Sequence, residues 1–310
     1  MTVHAVIVTP FQRCRYSAIG MPQTIKPYLG ILFALITACG LGAITTQAKL
    51  FYADGGNALT LMLVRFVVST LVFGLVLLLR RTSLTVESPQ RLPLSLLGVV
   101  WSAAMICYLL AVETISVSLA VLIFYFYPLL VLAYSVLCGQ VKATVTLFAL
   151  FCAAFAGLYL ALSGGTVTIN PSGILFAALA SCGAAFTFIS GARIAPNMSP
   201  LLLSFWVNLA GLLMIVPLIV GNFVMPTASA GILALGLATL FYLVAILSQF
   251  EALARLPAAQ AAFLLNLEPV VSILLASMVL NEALSLIQVS GVVLVISVVI
   301  LAVRFKPASA

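Results

Sequence analysis

Few residues in this sequence can do chemistry, and the most informative is Glu268, in the stretch LLNLEPVVSILLASM at 264–278. It lies about eleven residues into an apolar run, roughly 17 Å deep at 1.5 Å per residue, and so near a bilayer centre. A carboxylate there costs a few kcal/mol or is held as the neutral acid. It can bind a substrate ammonium, carry a proton, or hold a helix kink as a hydrogen-bond partner. Pro269 follows and has no N–H, so the Leu265 carbonyl is expected to leave the helix ladder. Asn266 adds a polar group one turn away.

Arg65 is the other charge inside an apolar run. It either snorkels to the outer interface or stands in a cavity, where it would hold a substrate carboxylate or pair with an acid. Trp101, Tyr108, Phe124, Tyr125, Tyr127, Trp206 and Tyr242 are scattered through the inner runs. Aromatics pack membrane helices and mark their interfaces, but walls of this kind also accept apolar side chains and amino-acid backbones. Trp101 and Tyr108, seven apart, share a helical face about 10 Å long. Tyr125 lies beside Pro128. Gln249 is a further cavity candidate, whereas Glu251 and Arg255 have the i, i+4 spacing of a surface ion pair. Glu113 and Glu282 sit at outer ends of runs, and Gln47 and Lys49 close the first. The substrate-binding candidates are therefore Trp101, Tyr108, Tyr125, Arg65, Gln249, Glu268 and Trp206; Pro128 and Pro269 are candidate hinges.

Nothing resembles a catalytic cluster. There is no Walker loop, GxSxG elbow, HExxH or nucleophile–histidine pair, so an enzyme is not expected and ATP could act only through a separate subunit. The six cysteines show no CxxC spacing and the single histidine, His4, stands in a polar tail. No metal or cofactor is expected.

These residues must be positioned by membrane helices. The 310 residues are 65% hydrophobic and 6% charged, against about 25% charge in soluble domains. Most of the outside must face lipid. Ten apolar runs are long enough to cross: 28–50, 58–79, 92–112, 116–138, 143–162, 172–192, 199–220, 228–250, 257–280 and 284–303. Turn residues and charges separate them. The net charge of +7 is read through topology, not as a nucleic-acid footprint. With the N-terminus in the cytoplasm, eleven of the thirteen basic residues fall inside, only Lys49 falls outside, and Arg65 lies within a span. Both termini are then cytoplasmic. Residues 1–26 read as a disordered tail, with Met21 an alternative start.

The chain is also written twice. GILFALITACG at 30–40 returns as GILFAALASCG at 173–183, identical at seven of eleven positions. Asn57 aligns with Asn197 and Pro128 with Pro269, at offsets between 140 and 143 residues. The repeat unit is five spans. Five is odd, so the second half enters from the opposite side, the arrangement of many secondary transporters. The expected fold is an all-α integral membrane protein of ten transmembrane helices in two inverted five-helix repeats: tail 1–26, first repeat 27–165, second repeat 166–305, tail 306–310. Ala149, Ala153, Gly157 and Ala161 form a small-residue stripe for close packing of the fifth span.

The paired openings, LEPVVSILLASMVLNEALSLIQVSG at 267–291 and YLLAVETISVSLAVLIFYFYPLL at 108–130 together resemble the drug/metabolite transporter superfamily, in its EamA-type ten-span branch. The likeness covers 28–304. It implies alternating-access transport with spans 1–4 and 6–9 around the substrate, and spans 5 and 10 to the side. The glutamate that often closes the family's fourth span is absent, with Cys138-Gly139-Gln140 in its place, and Tyr127 stands opposite Glu268. A symmetric acidic pair is therefore not expected. Length and the aromatic third and fourth spans resemble YddG-type amino-acid exporters. The function expected is export of amino acids or related metabolites across a bacterial inner membrane, with the substrate and the lipid bilayer as partners and monomer or dimer left open. The alternatives are a multidrug or cation exporter of the same fold and a membrane-embedded lipid enzyme.

Reporter fusions should place both termini in the cytoplasm and the 163–171 connection outside. A cytoplasmic reporter at that connection would overturn both the span count and the inversion.

Overall fold

The computed structural model describes residues 26–163, 169–280 and 283–304. The tails, the 164–168 connection and Glu282 lie outside the described residues. The first half comprises α1 (Lys26–Ala53), α2 (Ala58–Leu79), α3 (Ser88–Thr114), α4 (Val117–Phe124), α5 (Tyr127–Leu137) and α6 (Val145–Ala161). The second comprises α7 (Pro171–Ile194), α8 (Pro200–Ile219), α9 (Ser229–Leu253), α10 (Ala258–Leu264), α11 (Leu267–Leu280) and α12 (Leu286–Arg304). Among the described residues nine spans reach membrane length, and the tenth, α6, is a shorter apolar helix of 17 residues. Large apolar side chains such as Leu71, Leu75, Leu79, Leu213 and Leu286 are exposed along their outer faces, as lipid contact requires.

Helices dominate because hydrocarbon offers backbone groups no water, so each must bond within its own segment. Side-chain hydroxyls follow the same rule. Ser102 donates to Gly98 O and Ser135 to Val131 O, each at 2.8 Å, and Thr187 donates to Gly183 O at 2.9 Å.

The helix contacts fall into pairs that exchange when the halves are exchanged. α1 packs along α9, and its counterpart α7 packs along α3. α1 meets α10 and α11 as α7 meets α4 and α5, and α2 on α8 and α6 on α12 are each their own counterpart, whereas α5 on α10 has no comparable equivalent in α4 on α11 among the described residues. That is the pattern of an inverted repeat with a pseudo-two-fold axis through the centre.

The repeated phrase has its physical reason here. Gly40 and Gly183, its matched last residues, sit where α1 crosses α9 and α7 crosses α3. A Cβ on Gly40 would lie 3.0 Å from Ala245 Cβ and 3.1 Å from the Phe241 carbonyl, and one on Gly183 only 2.6 Å from Ala104 Cβ. Thr37 Oγ1 adds a bond across the first crossing, to Ala245 O at 3.3 Å. At the side of the molecule the small-residue stripe is only partly used. Gly157 and Ala161 meet Gly291 of α12, whereas Ala149 is exposed.

Two connections also exchange. The α8–α9 connection crosses the start of α2, where Asn57 Nδ2 donates to Asn222 O at 2.7 Å and Val224 N–H to Thr60 Oγ1 at 3.0 Å. The α2–α3 connection crosses α8, where Trp206 Nε1 donates to Leu84 O at 3.3 Å.

Replacing Gly183 by leucine should lower the melting temperature in detergent, since overpacking of a tight contact costs about 1–3 kcal/mol. Gly236→Leu, where a Cβ meets nothing within 4 Å, should melt like the parent. Equal melting curves for the two variants would rule out the crossing as a tight contact.

Candidate functional site

The fourth and ninth spans are not continuous. Each divides into two helices, at Tyr125–Phe126 and at Leu265–Asn266, just before its proline. The expected open carbonyl is not found. Leu265 O instead accepts from Glu268 N–H at 2.9 Å, and Phe263 O accepts from Asn266 N–H at 3.1 Å and from its Nδ2 at 2.8 Å. The chain has tightened to i, i+3 bonds, which recover carbonyls that proline and the break leave without an i+4 donor. The first break does the same, with Phe126 N–H on Ile123 O at 3.1 Å and Leu129 N–H on Phe126 O at 3.0 Å. Both prolines therefore sit in the first turn of a new helix, where their missing N–H costs nothing.

The breaks set the side chains that follow them. Glu268 begins α11, inside the first turn, and is seated against α1. Gly42 makes this possible: a Cβ there would come within 2.6 Å of the Glu268 carbonyl. Thr45 of α1 hydrogen-bonds Ser272 one turn further along α11. Around the Glu268 carboxyl stand Tyr108 of α3, Tyr125 at the first break and Tyr127 of α5. Tyr125 Oη faces the carboxyl and has no hydrogen-bond partner among the described residues. Phe124 joins Tyr108, Tyr125 and Tyr127, with ring centroids 5.2, 5.5 and 5.5 Å away, and Tyr127 meets Phe188 of α7 at 5.1 Å.

A second group forms around Tyr242 of α9. The Arg65 guanidinium lies 4.8 Å from the Tyr242 ring centroid, so its head is turned toward α9. Trp101 is buried on the facing helix, its indole nitrogen beside the Tyr242 hydroxyl. Tyr52, at the end of α1, is near both Arg65 and Tyr108 and so borders both groups.

The structure brings Tyr108, Tyr125 and Glu268 together, and Arg65 with Trp101. Two other candidates have different surroundings. Trp206 commits its indole N–H to the α2–α3 connection. Gln249 is buried in the packed end of α9 between Ser248 and Phe250, its amide nitrogen without a partner. Glu251 and Arg255 form the expected ion pair, with the guanidinium 5.1 Å from the Phe33 ring centroid. A separate cavity of about 290 Å³, lined by Leu122, Ile123, Phe126, Leu130, Phe155 and Ala178 among others, holds none of the candidate residues.

Tyr242 and Tyr127 stand among scattered aromatics in the sequence, and the repeat offset is the signal that singles them out. The 141-residue offset that relates Pro128 to Pro269 also relates Trp101 to Tyr242, Tyr108 to Gln249 and Tyr127 to Glu268. Trp101 and Tyr242 are thus one position written twice, and they face each other across the pseudo-axis.

The EamA-like transporter family matches residues 28–163 and 171–304, one copy in each half. A solved crystal structure aligns with a TM-score of 0.73 over 88% of this chain and 99% of its own. At 19% identity it shows the fold alone. No curated protein matches the chain.

If the prolines act as hinges, Pro128→Ala and Pro269→Ala should let the helices re-form across the breaks and slow turnover in proteoliposomes, with membrane insertion unaffected. Parental turnover in both variants would refute the hinge role.

Proposed function

The chain belongs to the EamA-like transporter family, membrane transporters of the drug/metabolite transporter superfamily, and on that premise we propose that it exports amino acids or related metabolites across a bacterial inner membrane by alternating access. In the proposed orientation, which puts both termini in the cytoplasm, α5 and α10 are the inner pieces of the broken spans and α4 and α11 the outer ones.

One observation carries the mechanism. α5 packs on α10, whereas α4 and α11, which would occupy the outer side, have no comparable packing among the described residues. The α10 residues from Ala258 to Leu264 are nearly all buried, while α4 buries only Ala120. Tyr52, beside Arg65 and Tyr108, is 40% exposed. This arrangement supports a conformer shut to the cytoplasm and accessible from outside. Because the halves are equivalent, packing α4 on α11 and parting α5 from α10 would give the opposite access with the same kinds of contact. The glycine crossings would persist as fixed axles, and the divided spans would supply the movement.

The group around Glu268 supports the substrate reading. A carboxyl walled by Tyr108, Tyr125 and Tyr127 offers a substrate ammonium one charged acceptor and aromatic faces. The narrower YddG-type assignment rests on this aromatic wall. Export of organic cations is the second reading, because the same acid and rings would serve a quaternary ammonium.

Uptake into proteoliposomes of a labelled panel of amino acids and organic cations tests the substrate class. Glu268→Gln should weaken amino-acid binding at every pH by roughly thirtyfold, the equivalent of about 2 kcal/mol for a lost buried charge contact. Loss of only the response to a pH gradient would reassign Glu268 to proton carrying. Parental binding and parental gradient response together would remove it from the mechanism.

A further inference from the structure

The most distinctive feature of the interior is a surplus of hydrogen-bond donors. Arg65 Nε, Trp101 Nε1 and Tyr242 Oη are all buried, and none has a hydrogen-bond partner. They converge. The guanidinium lies over the Tyr242 ring at 4.8 Å, and the Trp101 indole nitrogen is beside the Tyr242 hydroxyl. Arginine and the indole can only donate, and even if the phenol accepts one bond the other two donors remain unmet.

The charge is equally uncompensated. Among the described residues the ion pair formed is Arg255 with Glu251, and no carboxylate pairs with Arg65. Arg65 as a whole is half-buried, but its Nε is enclosed and no acid stands against it, a costly arrangement within a membrane span. Stacking on a tyrosine returns only part of that cost and leaves the charge in place. A structural arginine would have been given an acid. This one has been given two more donors, and even with the phenol oxygen accepting one bond the donors outnumber the acceptors, which makes the group complementary to a ligand that brings acceptors.

We propose that Arg65, Trp101 and Tyr242 form a carboxylate-binding cradle, so that the solute moved through this interior must carry a carboxylate. The planar guanidinium matches a carboxylate edge, and the indole and phenol close the remaining lone-pair directions. Since Trp101 and Tyr242 are exchanged by the pseudo-axis, the cradle presents the same two positions to whichever side is open. The inference rests on the export reading above and narrows it. With Glu268 available to an ammonium, the preferred cargo is a zwitterion, and an amine lacking the acid group is excluded.

The test uses the full chain in detergent. The protein has two tryptophans, so a Trp206→Phe background leaves Trp101 emission as the reporter. Titrations compare phenylalanine, 3-phenylpropionate and phenethylamine, with sodium chloride and inorganic phosphate as competitors, and the same three solutes are followed in proteoliposomes. Phenylalanine and phenylpropionate should shift the emission and phenethylamine should not. Arg65→Gln should weaken both carboxylates by roughly thirtyfold, the size expected for a lost buried charge partner. Tyr242→Phe keeps the ring under Arg65 and removes only a hydroxyl, so it serves where Arg65→Gln fails to fold, and it should weaken both carboxylates several-fold. Phenethylamine binding as tightly as phenylalanine, or carboxylate affinity unchanged by both substitutions, overturns the cradle while leaving transport intact. No emission change with either carboxylate also overturns it. Competition by chloride or phosphate at the same concentrations as the carboxylates makes this an inorganic-anion site and overturns the cargo assignment. Carboxylate binding that responds to Arg65→Gln, with no amino acid transported, upholds the cradle and instead defeats the amino-acid export reading.

Discussion

The structure depends on one constraint: the hydrocarbon core supplies no water, so each polar group must find its partner inside the protein. Helices meet this for the backbone. Ser102, Ser135 and Thr187 meet it by returning their hydroxyls to the preceding turn. The two broken spans meet it by tightening, with Leu265 O and Phe126 O taken by donors three residues on. Against that background, polar atoms left without partners carry information. Arg65 Nε, Trp101 Nε1, Tyr125 Oη and Tyr242 Oη all lie in the interior between the halves.

The same constraint divides the molecule into stiff and adjustable parts. Lipid tails are as apolar as leucine, so helices in a membrane gain little from hydrophobic association and rely on close packing. Gly40 and Gly183 allow that packing at α1–α9 and α7–α3, and each crossing joins one half to the other. The connections over α2 and α8 tie the halves again at both ends. α11 is seated on α1 through Gly42, but the divided spans meet each other only lightly. Their contact is on one side only, between α5 and α10, and the symmetric alternative is built from the same parts.

Charge is distributed in keeping with this division. The Glu268 carboxyl is held by a helix start that Gly42 seats on α1, and three tyrosines face it. Arg65 is held apart, over Tyr242. Had the two been placed in contact they would have neutralised each other and left the interior without a charge to offer a ligand. Kept apart by aromatic walls, each retains an unmet valence, a costly arrangement in a low-dielectric interior and one suited to a dipolar cargo.

The sequence by itself determined that the chain is a membrane-spanning helical protein of two inverted halves. Hydropathy and the return of GILFALITACG as GILFAALASCG are local signals, and an odd number of spans per repeat leaves no other orientation. It also marked Glu268 and Arg65, because a charge in an apolar run stands out wherever it is. Only the tertiary structure decided which candidates share a site. Trp206 and Trp101 have the same side chain, yet one N–H is taken by Leu84 and the other is left beside Tyr242. Gln249 occupies the position equivalent to Tyr108 and is nevertheless enclosed in the packed end of α9. Repeat symmetry equates positions along the chain, but the conformer breaks that symmetry: one side is packed and the other is not. Side-chain neighbours depend on which side is closed, and no periodicity in the sequence encodes that choice.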